Sequence, residues 1–249
     1  MVPPENFLRT QATENTMRRL LALGTLLLTA PATVSAQTVL DFEGVSTAYP
    51  FVSTTVGDFY NGGLSGGGNT GTNYGISFGA NALGVCLNTI GFSCTNASRG
   101  GAGDPASAQT GLFFLDGDGT FMNVAAGFST GFSFFYSSVN YSGSVLLYDG
   151  LDGAGTLLAS IDLTPTLSTC GPEYAAAFCP LVAAGTTFVG LARSVAWGGV
   201  ANQIVFDDVT LGSATPGNPS DVVPEPATMT LLATGLAGMA AARKKRRTA

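Results

Sequence analysis

Four carboxylates bracket the central part of this 249-residue chain: Asp41 and Glu43 near its start, Asp207 and Asp208 near its end. A hard cation such as calcium takes about six to eight oxygens, from carboxylates, carbonyls and water, so these acids form a candidate calcium site if the two segments meet. Asp41 and Glu43 are two apart and face the same side of a strand. Asp207 and Asp208 face opposite sides of a regular strand, so only one of them is expected at a given site. The competing reading is that each acid faces water alone. The runs Asp116-Gly117-Asp118-Gly119 and Asp149-Gly150-Leu151-Asp152-Gly153 read as plain turns, because neither continues into the ligand pattern of an EF-hand.

Other chemistry is poorly supplied. Residues 63–67, 75–79 and 127–131 each match G-x-S-x-G, but a nucleophile elbow needs a base, and the chain has no His. Three matches in a Gly/Ser-rich sequence are coincidence. No carboxyl pair is marked out for glycoside hydrolysis, so a secreted hydrolase is a second alternative, and the expectation is a non-enzymatic protein needing no cofactor. Trp197, the one Trp, lies between Ala196 and Gly198-Gly199 in an expected loop, where an indole makes a sugar-stacking platform. That placement supports an alternative reading as a lectin.

Cys86, Cys94, Cys170 and Cys179 are four cysteines at short spacings. In an exported chain they favour the disulfides Cys86–Cys94 and Cys170–Cys179, with cross-paired connectivities open. Zinc is disfavoured by the spacing and the lack of His.

Export is written at both ends. Arg18-Arg19, the apolar run 20–28 and the small residues up to Ala36 form a secretory signal peptide cut between Ala36 and Gln37, which implies Sec export. Met17 reads as the true start, and residues 1–36 stand apart from the fold. At the other end, Val223-Pro224-Glu225-Pro226 locks an extended backbone. A 16-residue uncharged stretch, 227–242, follows it. Arg243, Lys244, Lys245, Arg246 and Arg247 then act as a cytoplasmic stop. The order motif, apolar segment and basic end resembles the PEP-CTERM sorting signal of Gram-negative bacteria, also catalogued as the ice-binding protein C-terminal domain. The resemblance implies an exosortase partner that cuts near the motif, transient anchoring in the inner membrane, and delivery to the cell surface or an exopolysaccharide-containing matrix.

The part between, residues 37–222, holds no Lys, two Arg and 13 acids, a net charge of −11. Such a surface excludes nucleic acid as a partner. It is rich in Gly, Ser, Thr, Asn, Phe and Val, and alternating runs at 38–43, 74–78, 110–115, 130–136, 144–148, 156–163, 186–191 and 203–211 are separated by Gly/Asp turns. These predict an all-β domain over 37–211, an antiparallel jelly-roll-like sandwich. Residues 61–73 and 96–109 read as exposed loops, 212–222 as a flexible linker and 223–249 as the sorting signal. Helices are expected only in the two membrane-handling ends. The opening Asp41-Phe42-Glu43 and the closing Val205-Phe206-Asp207-Asp208-Val209-Thr210-Leu211 are similar to those of secreted carbohydrate-binding modules. In such folds the first and last strands lie side by side and acids there hold structural calcium.

Overall fold

A computed structural model describes residues 37–87, 94, 107, 109–166, 180–217 and 235. Ala36, Cys170, Cys179, the residues Val223 to Pro226 and the basic end lie outside them. The body is antiparallel β throughout, with one short 3₁₀ turn, Phe59–Asn61. Its strands are β1 (Thr38–Leu40), β2 (Ser53–Thr55), β3 (Ile76–Phe78), β4 (Leu83–Cys86), β5 (Thr110–Phe113), β6 (Gly119–Ser138), β7 (Gly143–Tyr148), β8 (Leu157–Leu163), β9 (Val182–Gly198) and β10 (Ile204–Leu211).

Two long strands make the sandwich by bending over. The first part of β6 pairs with β3 and with the C-terminal part of β9, which in turn pairs with β7, and β7 with β8. The last part of β6 pairs with β10 and with the N-terminal part of β9. β10 is followed outward by β5, β4 and β2, and β1 lies along β10 in line with β5. The β6–β9 register shifts twice between Asn123 and Thr130, and there the pair creases from one layer into the other. The sequence explains the crease. Ala125-Ala126-Gly127 and Val189-Gly190-Leu191 break the alternation that a flat strand needs, and glycine and bulges are where sheets turn corners.

Aromatic side chains fill the space between the layers. Trp197 from one layer meets Phe134 and Phe206 from the other, with ring centroids 5.3 and 4.6 Å apart. Phe132 and Met122 are fully buried beside them. β10 is buried along its whole length, because it is flanked by strands on both sides and covered on both faces. Its Phe206 faces the main core, while Val205 faces a second cluster with Val85, Leu87, Phe113 and Leu181. A disulfide joins Cys86 at the end of β4 to Cys94, as the spacing predicts.

β10 does not run out into a free linker. Residues 212–217 are docked. The Gly212 N–H donates to the Gly131 carbonyl (2.9 Å), and the Thr130 hydroxyl donates to the Gly212 carbonyl (2.8 Å). The Ser133 hydroxyl donates to the Ser213 carbonyl, and the Gly217 N–H reaches back to Thr210 Oγ1 at 3.0 Å. This strap crosses the sheet where Gly131 and Gly185 lack side chains. A Cβ on Gly131 would stand 2.5 Å from the Ala214 nitrogen, and one on Gly185 would collide with the Ala214 carbonyl. Gly217 ends up against the Gln37 side chain and Val39, so the start and end of the domain share one end of the sandwich.

Gly185→Val should therefore expel the strap. The expected result is a loss of about 1–3 kcal/mol in denaturant melts and new protease cuts just beyond Leu211. An unchanged cleavage map would contradict the docking.

Candidate functional site

The β1–β10 pairing brings the two acidic segments together. Thr38 pairs with Leu211, Val39 with Thr210 and Leu40 with Val209, so the next residue, Asp41, comes level with Asp208. A regular β10 would send Asp207 and Asp208 to opposite faces. Here the strand bulges: its register against β6 shifts between Asp207 and Thr210, and Asp208 sits at φ 47°. Both acids are buried, each with 0 % exposure, and both lie beside Ser107, so two acids that a regular strand would separate come to one place.

Each carboxylate has a different set of partners. Glu43 is fully engaged. Its Oε1 accepts the Gln109 and Thr110 N–H groups, both at 2.7 Å, and its Oε2 accepts the hydroxyls of Tyr49 (2.9 Å) and Thr110 (3.2 Å). Glu43 thus fastens β1 to the start of β5 and has little capacity left for a cation, so the candidate site narrows to Asp41, Asp207 and Asp208. The Asp207 Oδ2 accepts the Ser107 hydroxyl at 2.6 Å, and its Oδ1 accepts the Asp208 N–H at 2.8 Å. The Asp41 Oδ1 accepts the Glu43 N–H and the Tyr60 hydroxyl, at 3.2 and 3.4 Å. The Tyr60 oxygen in turn accepts the Phe42 N–H at 2.8 Å.

Asp208 is the exception. Neither of its side-chain oxygens has a hydrogen-bond partner, although the residue is fully buried. Ser107 lies near enough to favour its charged form. Burial, opposed by Ser107 and reinforced by Asp41 and Glu43, pushes the Asp208 carboxyl up to about 6. Burial and then the Asp208 charge drive Asp207 well above the usual carboxylate range. Asp41 is raised by burial as well. The same burial raises Tyr60, and it takes Tyr49 to about 12.

An unpartnered buried carboxylate is costly unless it takes up a proton or a cation. The donor set of Asp41, Asp207 and Asp208 is all hard oxygen, and Asp208 has both oxygens unused, so these residues fit calcium better than a soft metal. Among the described residues, no group of three or more Asp, Glu, His or Cys side chains is placed so that it could hold a metal ion as it stands, so calcium would have to draw these carboxylates together.

Trp197 is not a platform. It lies in β9 rather than in a loop, with 1 % exposure, and its indole packs against Phe132, Phe134 and Phe206. The flanking glycines that suggest a loop belong to the strand end, where Gly198 pairs with Gly119 and Ser144. Exposed rings occur elsewhere, at Tyr74, Phe121 and Tyr141. Phe121 stands beside the 149–155 turn, which is held by a reciprocal pair of hydrogen bonds between Asn123 and Asp152.

Residues 222–247 match the PEP-CTERM protein-sorting motif. This PEP-CTERM tail implies export, exosortase processing and a place at the cell surface. No curated protein matches the chain. Among solved structures, a family 6 carbohydrate-binding module is similar at 17% identity over 51% of this chain and 89% of its own, with a TM-score of 0.28. Among the described residues, no helix is long and apolar enough to cross a membrane.

The acid cluster has a pH signature. Raised carboxyls mean that the folded protein holds protons which the unfolded chain releases near pH 4. In metal-free buffer, stability should fall as pH rises from about 4 through about 6 and beyond. The melting temperature is expected to be several degrees lower at neutral pH than at mildly acidic pH, and Asp208→Asn should flatten the slope. A pH-independent melt would contradict the arrangement.

Proposed function

We infer that this chain is an exported, non-enzymatic protein of a Gram-negative bacterium. On this reading it enters the Sec pathway, is anchored transiently in the inner membrane by its apolar tail, and is processed by exosortase near Pro224-Glu225-Pro226. The body then serves at the cell surface or in the extracellular matrix, in association with exopolysaccharide. The observation that carries this is the sorting motif at 222–247. A body with 13 acids, two Arg and no Lys adds support, since it will not adhere to anionic polymers such as nucleic acid. The exposed rings of Tyr74 and Tyr141 support the alternative that the body is itself a lectin, because exposed aromatic faces stack on sugar rings.

The intact mass of mature protein from its native host tests the reading. The expected species lacks residues 1–36 and everything past the Pro-Glu-Pro region. A heavier product would carry a glycan or lipid at the cut, and an intact C-terminus would refute processing.

Calcium belongs to the same proposal. Asp41, Asp207 and Asp208 would hold it, and it would neutralise the buried charge that joins the first and last strands. Saturating calcium is expected to raise the melting temperature by about 5–10 °C over chelated protein. Asp208→Asn should lose most of that gain.

A further inference from the structure

The crease of β6 and β9 exposes an apolar ridge at the end of the domain that leads to the sorting tail. Val189 is 93 % exposed and Leu191 44 % exposed, with Ala125 and Ala126 exposed on the opposite strand. Its position follows from the register. Thr130 pairs with Phe188, the neighbour of Val189, and the Thr130 hydroxyl binds the carbonyl of Gly212, where the strap begins. Gln37 lies at this end too, against Gly217. The opposite end holds the 139–142 turn, since Ser138 pairs with Ile204 at the far end of β10.

The ridge also differs in charge from the rest of the body. Residues 120–131 and 183–192 contain no carboxylate, in a domain with 12 acids, and the next residue, Arg193, is one of its two cations. Arg193 is exposed. Asp152 meets these segments only at Asn123, where the two side chains bond each other. An apolar ridge beside a basic side chain suits the surface of a bilayer containing anionic lipid, which attracts Arg.

The tether limits where this end can go. Nine residues, 218–226, separate the docked Gly217 from the apolar stretch that begins at Ala227, and three of them are proline. Nine residues of chain span at most about 30 Å. We propose that, while the chain is anchored, the ridge of Val189, Leu191, Ala125 and Ala126 rests on the outer face of the bilayer, with Arg193 at the headgroups. The proposal rests on the membrane-anchored reading of the tail. Docking there holds the sorting motif at the membrane surface, where a membrane-embedded protease can reach it.

The test uses the full chain reconstituted into vesicles of mixed phosphatidylethanolamine and phosphatidylglycerol. Val189→Cys and, separately, Tyr141→Cys carry a polarity-sensitive dye. The dye at 189 should shift to the blue and lose intensity when the vesicles contain brominated acyl chains, while the dye at 141 should do neither. Protein that floats with the vesicles but keeps the dye at 189 in water overturns the docking and leaves the anchor intact. Quenching at both positions overturns the proposed orientation. Protein that fails to float overturns the anchor, and the docking with it.

Discussion

The structure depends on placing carboxylates between the first strand and the last. β1 is only three residues long and cannot hold its position by hydrogen bonds alone. Glu43 just after it grips the N–H groups at the start of β5, and Asp41 meets the bulge of β10. These contacts fix the ends of a strand that lies at the centre of the fold. The cost is a set of buried acids that water cannot reach, one with both oxygens unused. Charge inside the domain therefore ties its stability to its ionic surroundings, as expected for a protein that works outside the buffered cytoplasm.

The second organising feature is the shared pair β6 and β9. Because both strands pass through both layers, the layers are not separate sheets that happen to pack. Trp197 and Phe134 face each other across the core from two arms of the same bent ladder. Loosening one layer must loosen the other, which favours a single cooperative unit.

Much of this was legible in the residues. The β7–β8 hairpin and the Cys86–Cys94 bridge follow from alternation, turn chemistry and spacing, and the pairing of the first and last strands is what the resemblance of the two end segments to carbohydrate-binding modules implies. What was not legible has physical causes. β2 and β4 are three and four residues long, too short to show a period. The crease residues 125–129 carry no strand period, because bending a strand needs the same small and glycine residues that turns use. Trp197 looked exposed for the same reason, since Gly198 and Gly199 follow it directly. The convergence of Asp207 and Asp208 depends on a left-handed Asp208, which no alternation pattern encodes. Residues 212–217 read as linker because their partners, Gly131 and Gly185, are distant in sequence and act through the side chains they lack.

The strap also has a mechanical meaning. Tension applied through the C-terminal end reaches the Gly217–Thr210 contact first, then Ser213 on Ser133, then Gly212 on Gly131. These contacts lie in series and open one after another, releasing six residues, or about 20 Å of slack, before any load falls on β10. A surface protein pulled by flow or by a swelling matrix would lengthen at this fuse while its core stayed folded.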